Sequence, residues 1–252
     1  PLESKVPGML ILRQIMHFIN GCYRFDSFGM NYVMTYYRPD NQLVDKIFGG
    51  FTRELNNSAG SSLDLFSYLH FDRSSSSEAL PDGFILRQCL PDDFKSFKAF
   101  YEKTSGGLLF DAFRPDLPME TLEDKFLQSG FKRNCRMYCL CRENKHLAFF
   151  IVNQSDLGLN LSDLLNGIKV FILDDNDFEW PVVKSVLQTL GHVYSTDHIP
   201  LLVYPADYLT KQGIEVKKQY QLWIMTGDPY SELYTEYMKR KFRIKYEEAI
   251  KQ

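Results

Sequence analysis

The chain has 252 residues, 44% of them hydrophobic and 24% charged, which is enough for one large domain or two small ones with a real core. A formal net charge of −3 provides no positive field to attract nucleic acid or an acidic membrane. No apolar run approaches the ~20 residues that span a bilayer, and no basic-then-apolar leader opens the chain.

Residue 1 is Pro rather than Met, as expected of a cut piece or a processed product. The five cysteines (Cys22, Cys89, Cys135, Cys139, Cys141) are an odd set without framework spacing, so a reduced, cytoplasmic setting is expected. Cys139 and Cys141 alternate along a strand and share a face. No Cys-x-x-Cys or paired-His spacing announces a zinc site, so no metal is expected.

In chain order, residues 1–8 read as a linker and Met9–Ile19 as a helix stopped at Asn20-Gly21. Residues 31–37 form a strand, and Asn41 caps a helix over 42–55 whose middle Gly49-Gly50 weakens. Residues 63–71 form another strand. Residues 73–82, rich in Ser, Pro and Gly, read as a linker. A strand at 83–90 and an amphipathic helix at 91–101 follow, with Phe94, Phe97 and Tyr101 inward. A helix at 119–129 stops at Gly130. Residues 136–152 read as a hairpin turning at Glu143-Asn144-Lys145.

Residues 166–226 then run strand, helix, strand, short helix, strand. Asn166-Gly-Ile-Lys-Val-Phe-Ile-Leu173 is a buried strand, followed by the acidic loop Asp174-Asp-Asn-Asp-Phe-Glu-Trp180. Pro181–Leu190 has helical spacing with Pro at its start and Gly191 at its stop. Residues 199–204 and 220–225 are strands around a short helix at Tyr208–Gly213. The tail from Tyr230 to Tyr246 is helical. It carries a largely aromatic stripe of Tyr230, Leu233, Tyr234, Tyr237, Met238 and Phe242 beside Lys239, Arg240, Lys241, Arg243 and Lys245, and is either a docking helix or one folded back with a solvated basic face.

The two ends of the chain share an order: helix, strand ending in Tyr37-Arg-Pro-Asp40 or Tyr204-Pro-Ala-Asp207, helix, strand. This predicts a duplicated half-domain at 1–72, a linker at 73–82, a full domain at 83–227 and a C-terminal amphipathic helix at 228–252. Residues 31–71 are expected to share a sheet edge with the 136–173 sheet.

The element order of residues 83–226 resembles the GNAT acetyltransferase superfamily. The sharpest local likeness is Asp207-Tyr-Leu-Thr-Lys-Gln-Gly-Ile214 before Tyr220-Gln-Leu-Trp223, similar to that family's tyrosine-bearing short helix, glycine turn and last strand. The resemblance implies an α/β fold: a mixed sheet flanked by helices, preceded by a half-domain of the same kind. It also implies acyl-CoA as cofactor, with Tyr208 as acid and Asp207 as base if the chain is active.

The loop that in this family holds the cofactor's pyrophosphate departs from the pattern. Asp174, Asp175, Asp177 and Glu179 stand where phosphates would sit, with no glycine to admit them. Like charges ~5 Å apart at an effective dielectric of 20 repel by about 3 kcal/mol per pair. The expectation is therefore no cofactor and no catalysis: a module of a larger regulatory protein that binds a small-molecule ligand or a protein partner.

Two other readings stay open from the sequence. One is an active acyl-CoA-dependent N-acyltransferase. The other is a cyclic di-GMP receptor, because Asn153-Gln-Ser-Asp-Leu-Gly158 resembles the Asn/Asp-x-Ser-x-x-Gly pattern of PilZ receptors. In that reading Lys132, Arg133 and Arg136 face phosphates, and Asn153, Ser155 and Gly158 grip the base. The plainer reading of this stretch is a polar turn.

Overall fold

A computed structural model describes residues 31–74, 79–114, 120–156, 164, 166–174, 178–216 and 218–242. The helix expected at 9–19, Cys22, Gly158, Asp175, Asp177, Arg243 and Lys245 lie outside the described residues.

Eight strands form a mixed sheet flanked by helices. They are β1 (Tyr32–Tyr37), β2 (Ser61–Asp72), β3 (Phe84–Gln88), β4 (Arg133–Arg142), β5 (Lys145–Ser155), β6 (Ile168–Ile172), β7 (His198–Tyr204) and β8 (Lys218–Thr226), in the order β1-β8-β2-β7-β6-β5-β4-β3. The helices are α1 (Gln42–Ile47), α2 (Gly49–Leu55), α3 (Asp93–Thr104), α4 (Leu109–Phe113), α5 (Glu120–Gln128), α6 (Trp180–Leu190), α7 (Tyr208–Lys211) and α8 (Tyr230–Phe242).

By contact density the chain divides into two units, neither of them a continuous stretch. One takes the chain up to Leu63, Gly107–Ala112 and everything from Leu222. The other takes Asp64–Gly106 and Phe113–Gln221. Most of β2 thus belongs with β7, and Leu222–Thr226 of β8 belongs with β1. Residues 67–72 pair antiparallel with 198–203 of β7, whereas the sequence had suggested that residues 31–71 pack against the 136–173 strands.

In the first unit, the helix expected over 42–55 breaks at Phe48 into α1 and α2. Asn41 caps α1 as expected, its side chain accepting from the Val44 N–H at 3.3 Å. Gly49 sits where a Cβ would lie 2.4 Å from Asp45 Oδ1 and 2.7 Å from the Tyr37 hydroxyl. The glycine therefore makes room for the Tyr37–Asp45 hydrogen bond (2.9 Å) and the Arg53–Asp45 ion pair. α8 lies within this unit's core: Tyr234, Tyr237 and Met238 are buried with Trp223 and Phe51. Leu233, placed on the apolar stripe by spacing, is exposed, while Lys241 pairs with Glu54 at 3.2 Å. The folded-back form of the tail is the one observed.

In the second unit, strand alternation sends Val170 and Phe171 to opposite faces. Val183, Val186, Leu187 and Leu190 of α6 share a core with Val170, Ile172, Leu201 and Val203. On the other face, Phe97 of α3 stacks on Phe149 (4.9 Å) and meets Phe171 edge-on (4.9 Å). Phe97 and Tyr101 are buried, and Phe94 is half-buried. The hairpin turns through Glu143 (φ 49°) and Asn144 (φ 64°), the double left-handed conformation that suits twisted strands.

β6 and β7 pair in parallel from Ile168↔Leu201 to Phe171↔Tyr204, up to the last residue of β7. Gly167 enters this pair so closely that a Cβ would lie 2.3 Å from the Pro200 carbonyl oxygen, which is backbone and cannot swing aside. Gly167→Ala is expected to lower the unfolding free energy by about 1–3 kcal/mol. A fall in denaturant midpoint at unchanged slope measures it.

Candidate functional site

The turn from β6 into α6 is where a phosphate-holding site is expected. At the described start of α6 the backbone amides meet groups of the protein itself. The Trp180 N–H donates to Gln212 Oε1 at 3.1 Å, and Pro181 has no N–H to offer. The Val182 and Val183 N–H groups point to the Glu179 carbonyl at 3.1 and 3.4 Å. Asp174 is ion-paired with Lys145. Phe178, two residues before α6, is fully buried.

Tyr208 is fully buried, and its hydroxyl donates to the Phe178 carbonyl at 3.0 Å. Asp207 stands at the N-cap position of α7 but makes no side-chain cap bond. It pairs instead with Lys211 at 2.9 Å. The tyrosine thus ties α7 to the β6–α6 turn, and the carboxylate beside it is engaged along its own helix.

The dinucleotide-pattern residues come together only in part. Arg133 lies opposite Ser155 and Cys135 opposite Asn153 in the β4–β5 ladder. The Lys132 N–H donates to Asp156 Oδ2 at 2.7 Å, and the Arg133 guanidinium lies 5.0 Å over the Phe126 ring. Arg136 is on the other strand face from Arg133 and Asn153, forked onto Glu123. Asn153 is buried, its carbonyl accepting from the Tyr194 hydroxyl at 2.7 Å. Ser155 Oγ is buried without a hydrogen-bond partner among the described residues.

A denser concentration of reactive side chains lies on the α3 face of β3–β5. There Cys89, Cys139, Cys141, His146, Asp93 and Arg87 converge. Cys139 Sγ is 3.9 Å from Cys141 Sγ and 3.8 Å from Asp93 Oδ2. Donor atoms of Cys139, Cys141 and His146 all lie within 4.8 Å of one another, as do those of Cys89, Asp93 and Cys139. Asp93, in the first turn of α3, accepts two bonds from Arg87 (2.6 and 2.8 Å), one from the Leu90 N–H (2.6 Å), and shares a hydrogen bond of 2.7 Å with His146 Nε2.

The Arg87 guanidinium, through these bonds, holds the Asp93 carboxyl well below the usual carboxylate range. The Cys139 thiol is drawn down by its hydrogen bond with Cys89, whose own proton is held more tightly, and burial pushes Cys141 up to about 12.

A β-bulge builds this cluster. Leu140 opposes Ala148, but Cys141 opposes His146, so Leu147 is the extra residue. The bulge brings His146 onto the face that Cys139 and Cys141 share. Sequence spacing showed the two cysteines on one face but not the bulge, nor Cys89 arriving from a strand fifty positions earlier.

Two buried charges lie elsewhere in this unit. Asp64 receives hydrogen bonds from the Tyr101 and Ser105 hydroxyls, and burial pushes its carboxyl up. Lys169, in the strand read as buried, lies beside Cys135 and Arg133, and burial lowers its ammonium to about 8.

No protein-family model matches the chain, and no curated protein matches it. Among solved structures, a functionally unknown conserved protein from Staphylococcus epidermidis is similar over 85% of this chain and 80% of its own length, at 10% identity and a TM-score of 0.39. A Drosophila protein is similar over 71% and 58%, at 11% identity and a TM-score of 0.37. A tandem GNAT protein from the clavulanic acid biosynthesis pathway is similar over 85% and 69%, at 11% identity and a TM-score of 0.34. The functional reading rests on this chain's own residues. Among the described residues, no helix is long and apolar enough to cross a membrane.

Lys169 yields a pH prediction. Its ammonium is lowered in the fold, so the unfolded chain binds the extra proton between about 8 and the usual lysine value, and stability rises with pH across that window. Measured against Lys169→Met by chemical denaturation, the wild type should gain about 2 kcal/mol between pH 7 and 10. A constant difference between the two proteins would contradict this.

Proposed function

We propose that this chain is a GNAT-like module without catalytic activity, which serves a larger regulatory protein by binding a ligand or a protein partner. The observation that carries the reading is the closed start of α6. An acyl-CoA pyrophosphate needs several outward backbone amides at one helix N-terminus. Here the first amide is spent on Gln212, the second residue is proline, and the next two amides turn back on Glu179.

The element order from β3 to β8 supports the GNAT-like part of the reading: strand, helices, hairpin, strand, helix, strand, short helix, strand. The duplicated half, with boundaries at 1–72 and 83–227, belongs to the same reading. Catalysis would also need an acid at hand. Tyr208 is fully buried with its proton committed to a backbone carbonyl, so it is poorly placed to protonate a leaving thiolate.

Titration calorimetry with acetyl-CoA and longer acyl-CoAs tests the reading, alongside an acetyl-transfer assay with mixed amine acceptors. No binding heat and no transfer are expected. Micromolar binding of any acyl-CoA would overturn it.

A further inference from the structure

We propose that Cys89, Cys139, Cys141 and His146 form a structural zinc site, with the Arg87–Asp93 pair as its outer shell. Three thiols and an imidazole are the donor set of a closed, four-coordinate zinc centre, and thiolate donors disfavour magnesium or calcium. Two thiolates on a tetrahedral zinc lie about 3.8 Å apart, given Zn–S bonds near 2.3 Å. Cys139 and Cys141 Sγ are already 3.9 Å apart, at more than bonding distance for a disulfide. An imidazole nitrogen of His146 completes a triangle with them inside 4.8 Å, and Cys89 reaches Cys139 within the same limit.

The backbone holds these donors before any metal arrives. Cys89 is fixed by its N–H bond to the Met137 carbonyl (2.9 Å), and the bulge at Leu147 places His146 opposite Cys141. Cys139 is fully buried, Cys141 is 7% exposed, and Cys89 and His146 are half-buried, which leaves one partly open side for entry.

Asp93 supplies the outer-shell element that zinc-binding histidines characteristically have. With a proton held on Nε2 by this carboxylate, Nδ1 would be the lone-pair donor to the metal. Arg87 in turn holds Asp93 by a two-bond fork, and so keeps this carboxylate off the metal. On binding, each thiol gives its proton to solvent as its Zn–S bond forms, with no change in oxidation state. Arg87, paired with the Asp93 that touches Cys139, would offset part of the thiolate charge. The site would lock β3, β4, β5 and the first turn of α3 to one another.

The test is metal analysis of the whole chain, purified without chelators, together with cobalt(II) titration of the apo protein. About one zinc per chain is expected, and cobalt should give thiolate charge-transfer bands and the intense visible bands of a tetrahedral ion. Cys89→Ser and Cys141→Ser should each weaken cobalt binding at least tenfold. Cys135→Ser, which alters a buried thiol outside the cluster, should leave it unchanged. Cys89→Ser changes a half-buried residue at a strand end, so it keeps the test usable if the more buried variant fails to fold. A folded wild-type chain that takes up neither metal at micromolar concentration would overturn the proposal. Cobalt binding that survives both cysteine replacements would do the same.

Discussion

The parallel register of β6 against β7 governs most of what can happen in the second unit. Gly167 lets the two backbones meet beside Pro200, and from there Ile168 to Phe171 run in step with Leu201 to Tyr204. That register decides which residues face α6 and which face α3. It also sets where α6 begins and brings the loop carrying Gln212 near enough to take the Trp180 amide. A crevice at the carboxyl ends of parallel strands is where open α/β sheets usually hold ligands. Here the described residues at that end of the pair include Pro181 and Gln212, whose side-chain oxygen accepts from the Trp180 N–H.

Much of the fold was legible in the sequence because its signals are local. Asn41, Pro181 and Gly213 mark helix ends, and Glu143-Asn144 marks a tight hairpin. Branched and aromatic runs at 168–172 and 198–204 mark strands buried on both faces. The misreadings arose where distant packing decides. The helix over 42–55 divides at Phe48, next to the Gly49 whose missing Cβ leaves room for Tyr37 and Asp45, and spacing put Leu233 on a stripe whose other members reach the core while it stays exposed. α4, five residues long, has too few turns to show a period.

The candidate sites show the same division. The acidic composition of the β6–α6 turn is plain in the sequence. The side chain that takes the Trp180 amide, though, is Gln212, over thirty residues away and invisible to any local pattern. The thiol–imidazole cluster was hidden for a related reason. Strand alternation is a rule of two, and a bulge is an exception that no composition announces. Lys169 was hidden in the opposite way: one lysine in a strand otherwise rich in branched residues is easily read past, although its burial makes it a site of strong electrostatic consequence.

The discontinuous make-up of the two units has a consequence for how the chain can be divided experimentally. Leu63 and Leu222 belong to one unit, while nearly everything between them belongs to the other. A single cut therefore cannot release both as uninterrupted fragments. Trimming from the C-terminus as far as Leu222 takes Trp223, Tyr234 and Met238 away from Phe51 and Tyr37, whose core they fill. Fragments meant for separate expression have to be spliced, not truncated.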